Sequence, residues 1–104
     1  MIDIKKLQKE VFQNKIEKGF NTTDVALEFC RAHEELSEAF KKYNQKEAGV
    51  AEELADVAIF LLGMAEILGF DLESELTRKV EINKKRKYKK VNGVLVREKT
   101  DIDP

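Results

Sequence analysis

Apolar side chains recur at steps of three and four in four successive stretches of the chain, the period of an amphipathic helix rather than of a strand. The first follows a capping Asp3, places Ile4, Leu7 and Val11 on one face with Phe12 beside them, and runs until Gly19. Asn21, Thr22, Thr23 and Asp24 form a polar link with capping chemistry. A second helix then extends from about Val25 to Tyr43, with Val25, Phe29, Ala32, Leu36, Phe40 and Tyr43 on its inward face. Leu27 and Cys30 fall on another face, where a subunit interface would account for them. The third helix covers roughly Val50 to Leu68, is apolar almost all round between Leu54 and Ala65, and is closed by Gly69. Asp71 can cap a fourth helix that turns Leu72, Leu76 and Val80 inward and reaches about Tyr88. Beyond it, Val91 to Val96 flank Asn92 and Gly93, the strongest short hairpin signal.

This pattern predicts an all-α fold: a four-helix up-and-down bundle over residues 1–90, followed by a short C-terminal β-ribbon or irregular tail over 91–104. Three short neighbours cannot cover a helix as apolar as the third, so the bundle is expected to be completed by oligomerisation, as a homodimer or homotetramer. Composition narrows the class. At 104 residues the chain is one domain, and 42% hydrophobic with 38% charged residues is too apolar for disorder and too charged for a membrane protein. Nineteen basic against twenty acidic residues leave a net charge of -1, which removes the electrostatic case for nucleic acid. Cys30 is alone, so neither a disulfide nor a cysteine zinc site is available, and the longest apolar run, Val57 to Ala65, is far short of the roughly 20 residues that span a bilayer. A soluble protein of a reducing cytoplasm is expected.

Four acids stand out from the charged background. Glu35 and Glu38 lie three residues apart on the second helix, about 60° around its axis, and Glu53 and Asp56 repeat the spacing on the third. Steps of four, three and four lead on from Asp56 to Phe60, Gly63 and Ile67, so the second pair lies on a stripe expected to be buried. Ionised carboxylates there call for a compensating cation, and oxygen ligands favour Mg²⁺, with Mn²⁺ as a substitute. A di-iron bundle would want Glu-x-x-His pairs, which the single histidine, His33, does not supply. The plain alternative is that all four acids are solvated helix-surface residues.

The stretch EELSEAF at 34–40, followed by AEELADVAIFLLGMAEILGFDLE at 51–73, resembles the MazG-like all-α nucleoside triphosphate pyrophosphatases, in particular their short single-domain members. Their signature is ExxE, a spacer, then ExxD. Glu35 and Glu38 match its first half, Glu53 and Asp56 its second, with fourteen residues between Glu38 and Glu53. The resemblance continues into the last helix, where a Lys, Asn and Arg pattern is met by Lys79, Asn83 and Arg86. It departs after Arg86: short members often continue with a proline and a histidine-glycine pair, whereas this chain reads Lys87 to Gly93 without either. The resemblance implies a homo-oligomeric helical enzyme that uses Mg²⁺ to cleave an NTP or dNTP to the monophosphate and pyrophosphate, clearing the nucleotide pool.

For that chemistry Glu35, Glu38, Glu53 and Asp56 are the expected metal ligands and catalytic groups, one glutamate being left to orient the attacking water. Lys79, Asn83, Arg86 and Lys90 recur on one face of the last helix and could hold the phosphate tail. Phe12, Phe20 and Tyr43 offer rings for the base, with Phe12 and Tyr43 expected in the core and His33 partly exposed and idle. Two other readings fit the same residues: a non-enzymatic helical interaction or regulatory dimer, and a metal-dependent hydrolase of another phosphorylated nucleotide.

Overall fold

The computed structural model describes residues 1–99, and its chain divides into two compact units, Met1–Leu72 and the segment from Glu73 onward. The first unit holds α1 (Ile4–Lys18), α2 (Val25–Asn44) and α3 (Val50–Leu68). The second holds nearly all of α4 (Leu72–Lys85) and the strands β1 (Tyr88–Val91) and β2 (Val94–Arg97). The expected all-α architecture with a small ribbon is therefore present; residues 100–104 of the expected tail lie outside the described residues.

Local chemistry sets the helix ends. Asp3 accepts a hydrogen bond from the Lys6 N–H at 2.9 Å, and Asp24 accepts one from the Leu27 N–H at 3.1 Å. Asn21 in turn folds the link by accepting from the Asp24 N–H at 2.9 Å. Gly19 and Gly69 close α1 and α3 in the left-handed conformation, at φ 73° and 81°.

In the first unit α3 is central, packed along α2 on one side and α1 on the other. Three polar side chains are buried with it: Gln8, Lys15 and Glu28. Gln8 is a splice between chain segments. Its amide donates to the Glu66 carboxylate at 3.0 Å and the Phe70 carbonyl at 2.9 Å, and its oxygen accepts from the Leu72 N–H at 3.1 Å. Lys15 crosses α3 at Gly63, where a Cβ would stand 3.0 Å from the Lys15 Cε, and there forms an ion pair with Glu28.

The inward face of α2 differs from the expected one. Val25, Glu28, Ala32, Glu35, Ala39 and Lys42, at steps of three and four, are its buried or half-buried positions, so Val25 and Ala32 lie inward as expected. Phe29, Leu36, Phe40 and Tyr43, one position further round, are exposed, Phe40 by 66% and Tyr43 by 70%. Small residues at 32 and 39 let α2 lie close to α3, and of the charges on this face Glu28 meets Lys15 and Asn21 while Lys42 meets Glu53. Tyr43 is accordingly not a core residue, whereas Phe12 is half-buried. On α3 only Gly63, Met64 and Ala65 are fully buried, and Leu54, Ile59, Leu61 and Leu68 remain exposed.

In the second unit α4 ends at Lys85, three residues before the expected end, and Tyr88, Lys89 and Lys90 enter the ribbon. Asn92 and Gly93 both take positive φ, 52° and 79°, as a two-residue turn of the hairpin type requires, and Tyr88 then pairs with Arg97 and Val91 with Val94. The turn decides the register and draws the lysines out of the helix.

Candidate metal centre

The stripe of α2 that faces α3 brings Glu35 opposite the first turns of α3, where Glu53 and Asp56 lie one turn apart. Oxygens of Glu35, Glu53 and Asp56 come within 4.8 Å of one another. Glu35 and Glu53 are half-buried; Asp56 is exposed, although the sequence pattern puts it on a buried stripe. Further along that stripe Phe60 is half-buried and Gly63 buried, with Val11 and Lys15 of α1 lying against Gly63. Glu38 is exposed and is not part of the trio, but its charge still acts on Glu35.

The electrostatics are those of crowded carboxylates. Glu35 hydrogen-bonds to Glu53, and this bond, followed by desolvation and then by the charges of Glu53, Asp56 and Glu38, pushes its carboxyl above the ordinary range. Glu53 moves the other way, held down first by Lys42 and then by Glu35. The Lys42 ammonium donates to Glu53 Oε1 at 2.9 Å, and Glu53 raises its basicity in return. Three convergent hard oxygen donors with an excess of negative charge fit a divalent cation, so Glu35, Glu53 and Asp56 could hold one.

Sequence reasoning missed Lys42. The usable signal was its spacing: seven residues from Glu35, two turns along the same face, with Ala39 between them.

Asp56 also borders a cleft between α1 and α3 of about 400 Å³, lined among others by Val11, Asn14, Lys15, Phe20 and Phe60. The Lys15 ammonium stands 5.8 Å from the centre of the Phe60 ring, a cation–π distance. Phe20, just past the Gly19 cap, is exposed and offers its ring to this cleft.

The remaining candidates lie in or beside α4. Lys79 and Asn83 are exposed on the helix, and Arg86 follows its end, donating from Nη1 to Asn83 Oδ1 at 2.9 Å. Lys90 belongs to β1, so the helical face expected to run from Lys79 to Lys90 stops before it. His33 is exposed.

No helix among the described residues is long and apolar enough to cross a membrane. No curated protein and no solved structure matches the chain. The model of the MazG-like family matches residues 26–99, which takes in both acidic pairs, the helix that follows them and the ribbon. With that match over most of its length, and with carboxylates of both pairs converging on one point, the chain belongs to the MazG-like family.

Proposed function

We propose that the chain is a nucleoside triphosphate pyrophosphohydrolase, adding water across a phosphoanhydride bond of an NTP or dNTP to give the monophosphate and pyrophosphate. One observation carries this reading: Asp56 belongs both to the carboxylate trio and to the wall of a cleft with two aromatic rings. Charge-binding and ring-binding surfaces therefore meet at one side chain, as a nucleotide needs.

Glu35, Glu53 and Asp56 would hold Mg²⁺, or Mn²⁺ in its place, and the ion would supply positive charge to the phosphate oxygens and acidify water. Glu38, outside the trio and one turn from Glu35, is available to order the attacking water. Phe20 and Phe60 line the cleft with rings on which a base would stack, and Asn14 with an amide for its edge. Lys79, Asn83 and Arg86 have the donors a triphosphate tail calls for, and their assignment to it rests on the family pattern. The exposed apolar row of α2, with Leu54 and Leu61 on α3, supports a homodimer or homotetramer as the working form. A cytoplasmic, pool-clearing role fits this substrate class, and the free, exposed Cys30 supports a reducing setting.

The test is pyrophosphate release from a panel of NTPs and dNTPs with Mg²⁺ or Mn²⁺. Release from at least one triphosphate, abolished by chelator and by Glu53→Gln, is expected. Release of orthophosphate instead, or turnover only of other phosphorylated nucleotides, would make the chain a different hydrolase. Inactivity against every nucleotide would leave the helical interaction module.

A further inference from the structure

Lys42 lies where a cation is wanted. Its ammonium meets Glu53 Oε1 at 2.9 Å, with the side chains of Lys42 and Glu53 only 27% and 17% exposed. The approach is built into the backbone. At Gly49, the residue before α3, a Cβ would come within 3.1 Å of the Lys42 Nζ and 3.5 Å of its Cδ, and the φ of 104° there already favours glycine. The lysine therefore passes close over Gly49 at the start of α3, where a Cβ would crowd its end. Ordinary surface pairs contribute little. This one ends on a carboxylate that hydrogen-bonds to Glu35 and shares a cluster with Asp56, so its ammonium stands at the edge of the trio.

We propose that Lys42 is the site's internal counter-ion: in the metal-free chain its ammonium partly neutralises Glu35, Glu53 and Asp56, and a divalent cation binds there only against its field. The inference rests on the reading of these three acids as a cation site. Two like-signed charges a few ångströms apart repel, so either Lys42 swings away from Glu53 or the cation is held less tightly than the acids alone would hold it. The consequence is a folded apo protein without three uncompensated carboxylates, and a cation that is held weakly enough to exchange. A lysine that merely oriented Glu53 would do the opposite, since its removal would loosen the cation.

The experiment is a Mn²⁺ titration of the full chain without nucleotide, by calorimetry or electron paramagnetic resonance, with melting curves alongside. Lys42→Met should bind Mn²⁺ on the order of tenfold more tightly than wild type and show a larger Mn²⁺-induced rise in Tm, while its metal-free Tm falls. Lys42→Arg keeps the charge and should stay within about threefold of wild type. Lys9→Met, which breaks the separate 2.7 Å pair with Glu66, should leave Mn²⁺ affinity unchanged. If Lys42→Met does not fold, Lys42→Gln removes the charge and keeps a donor, and the same gain is expected. Equal or weaker Mn²⁺ binding by the neutral variant overturns the inference and leaves the cation site standing. Absence of Mn²⁺ binding in both wild type and neutral variant overturns the cation site, and the inference with it.

Discussion

Lys15 on α1 and Glu28 on α2 form an ion pair that is all but sealed from solvent, their side chains 9% and 3% exposed. Asn21 donates to the second Glu28 oxygen at 3.2 Å, and the Phe60 ring lies beneath the ammonium. Removing one partner leaves a buried charge without compensation. Lys15→Met or Glu28→Leu should each lower stability by about 3 kcal/mol or more, while the double variant carrying both substitutions should recover much of the loss. Denaturant melts of the four proteins measure it; two independent, additive losses would show that the pair is not coupled.

The trio makes a prediction about charge. Glu53→Gln and Asp56→Asn should each abolish turnover with the fold retained. Glu35→Gln should also be inactive, yet melt higher than wild type without metal near neutral pH. The sign follows from its raised carboxyl: folding is opposed once pH exceeds the ordinary value of 4.5, because the folded chain resists giving up that proton. Circular dichroism melts with chelator, paired with an activity assay, check both halves.

Glu66 provides the opposite case. Lys9 first, and then Gln8, hold its carboxyl below the ordinary 4.5. Its ionised form therefore stabilises the fold above that pH, and the contribution is lost as pH falls through the lowered folded value. Glu66→Gln should be less stable than wild type at pH 7, with the gap closing below pH 4.5. A gap independent of pH would assign the effect to packing.

The apolar row on α2 predicts association. Light scattering should show no monomer at micromolar concentration, and Phe40→Glu combined with Tyr43→Glu should release one. A wild-type monomer would exclude the row as an interface.

Phosphate contacts separate from metal ligands by their effects on binding. Lys79→Ala and Arg86→Ala should each cost about 1.5 to 3 kcal/mol in kcat/KM and leave Mn²⁺ affinity of the free protein unchanged. Full activity in both would mean that these residues are solvated surface.

The four helices, the ends at Asp3, Gly19, Asp24 and Gly69 and the Asn92-Gly93 hairpin were legible in the sequence, because caps, turns and apolar periods act over a few residues and depend on nothing distant. The ExxE and ExxD pairs were equally legible as spacing. What tertiary structure decided was which face of α2 meets α3. Phe29, Leu36, Phe40 and Tyr43, read inward by their period, lie exposed, and a row of alanines and charges lies against α3. The physical reason is that burial of a charge depends on its partner, and the partners are remote in sequence: Lys15 for Glu28, Glu53 for Lys42. The same cause makes Lys42 part of the site and leaves Glu38 outside the trio. Helical spacing sets which residues share a face, and only the packing of α1, α2 and α3 sets which face has a neighbour.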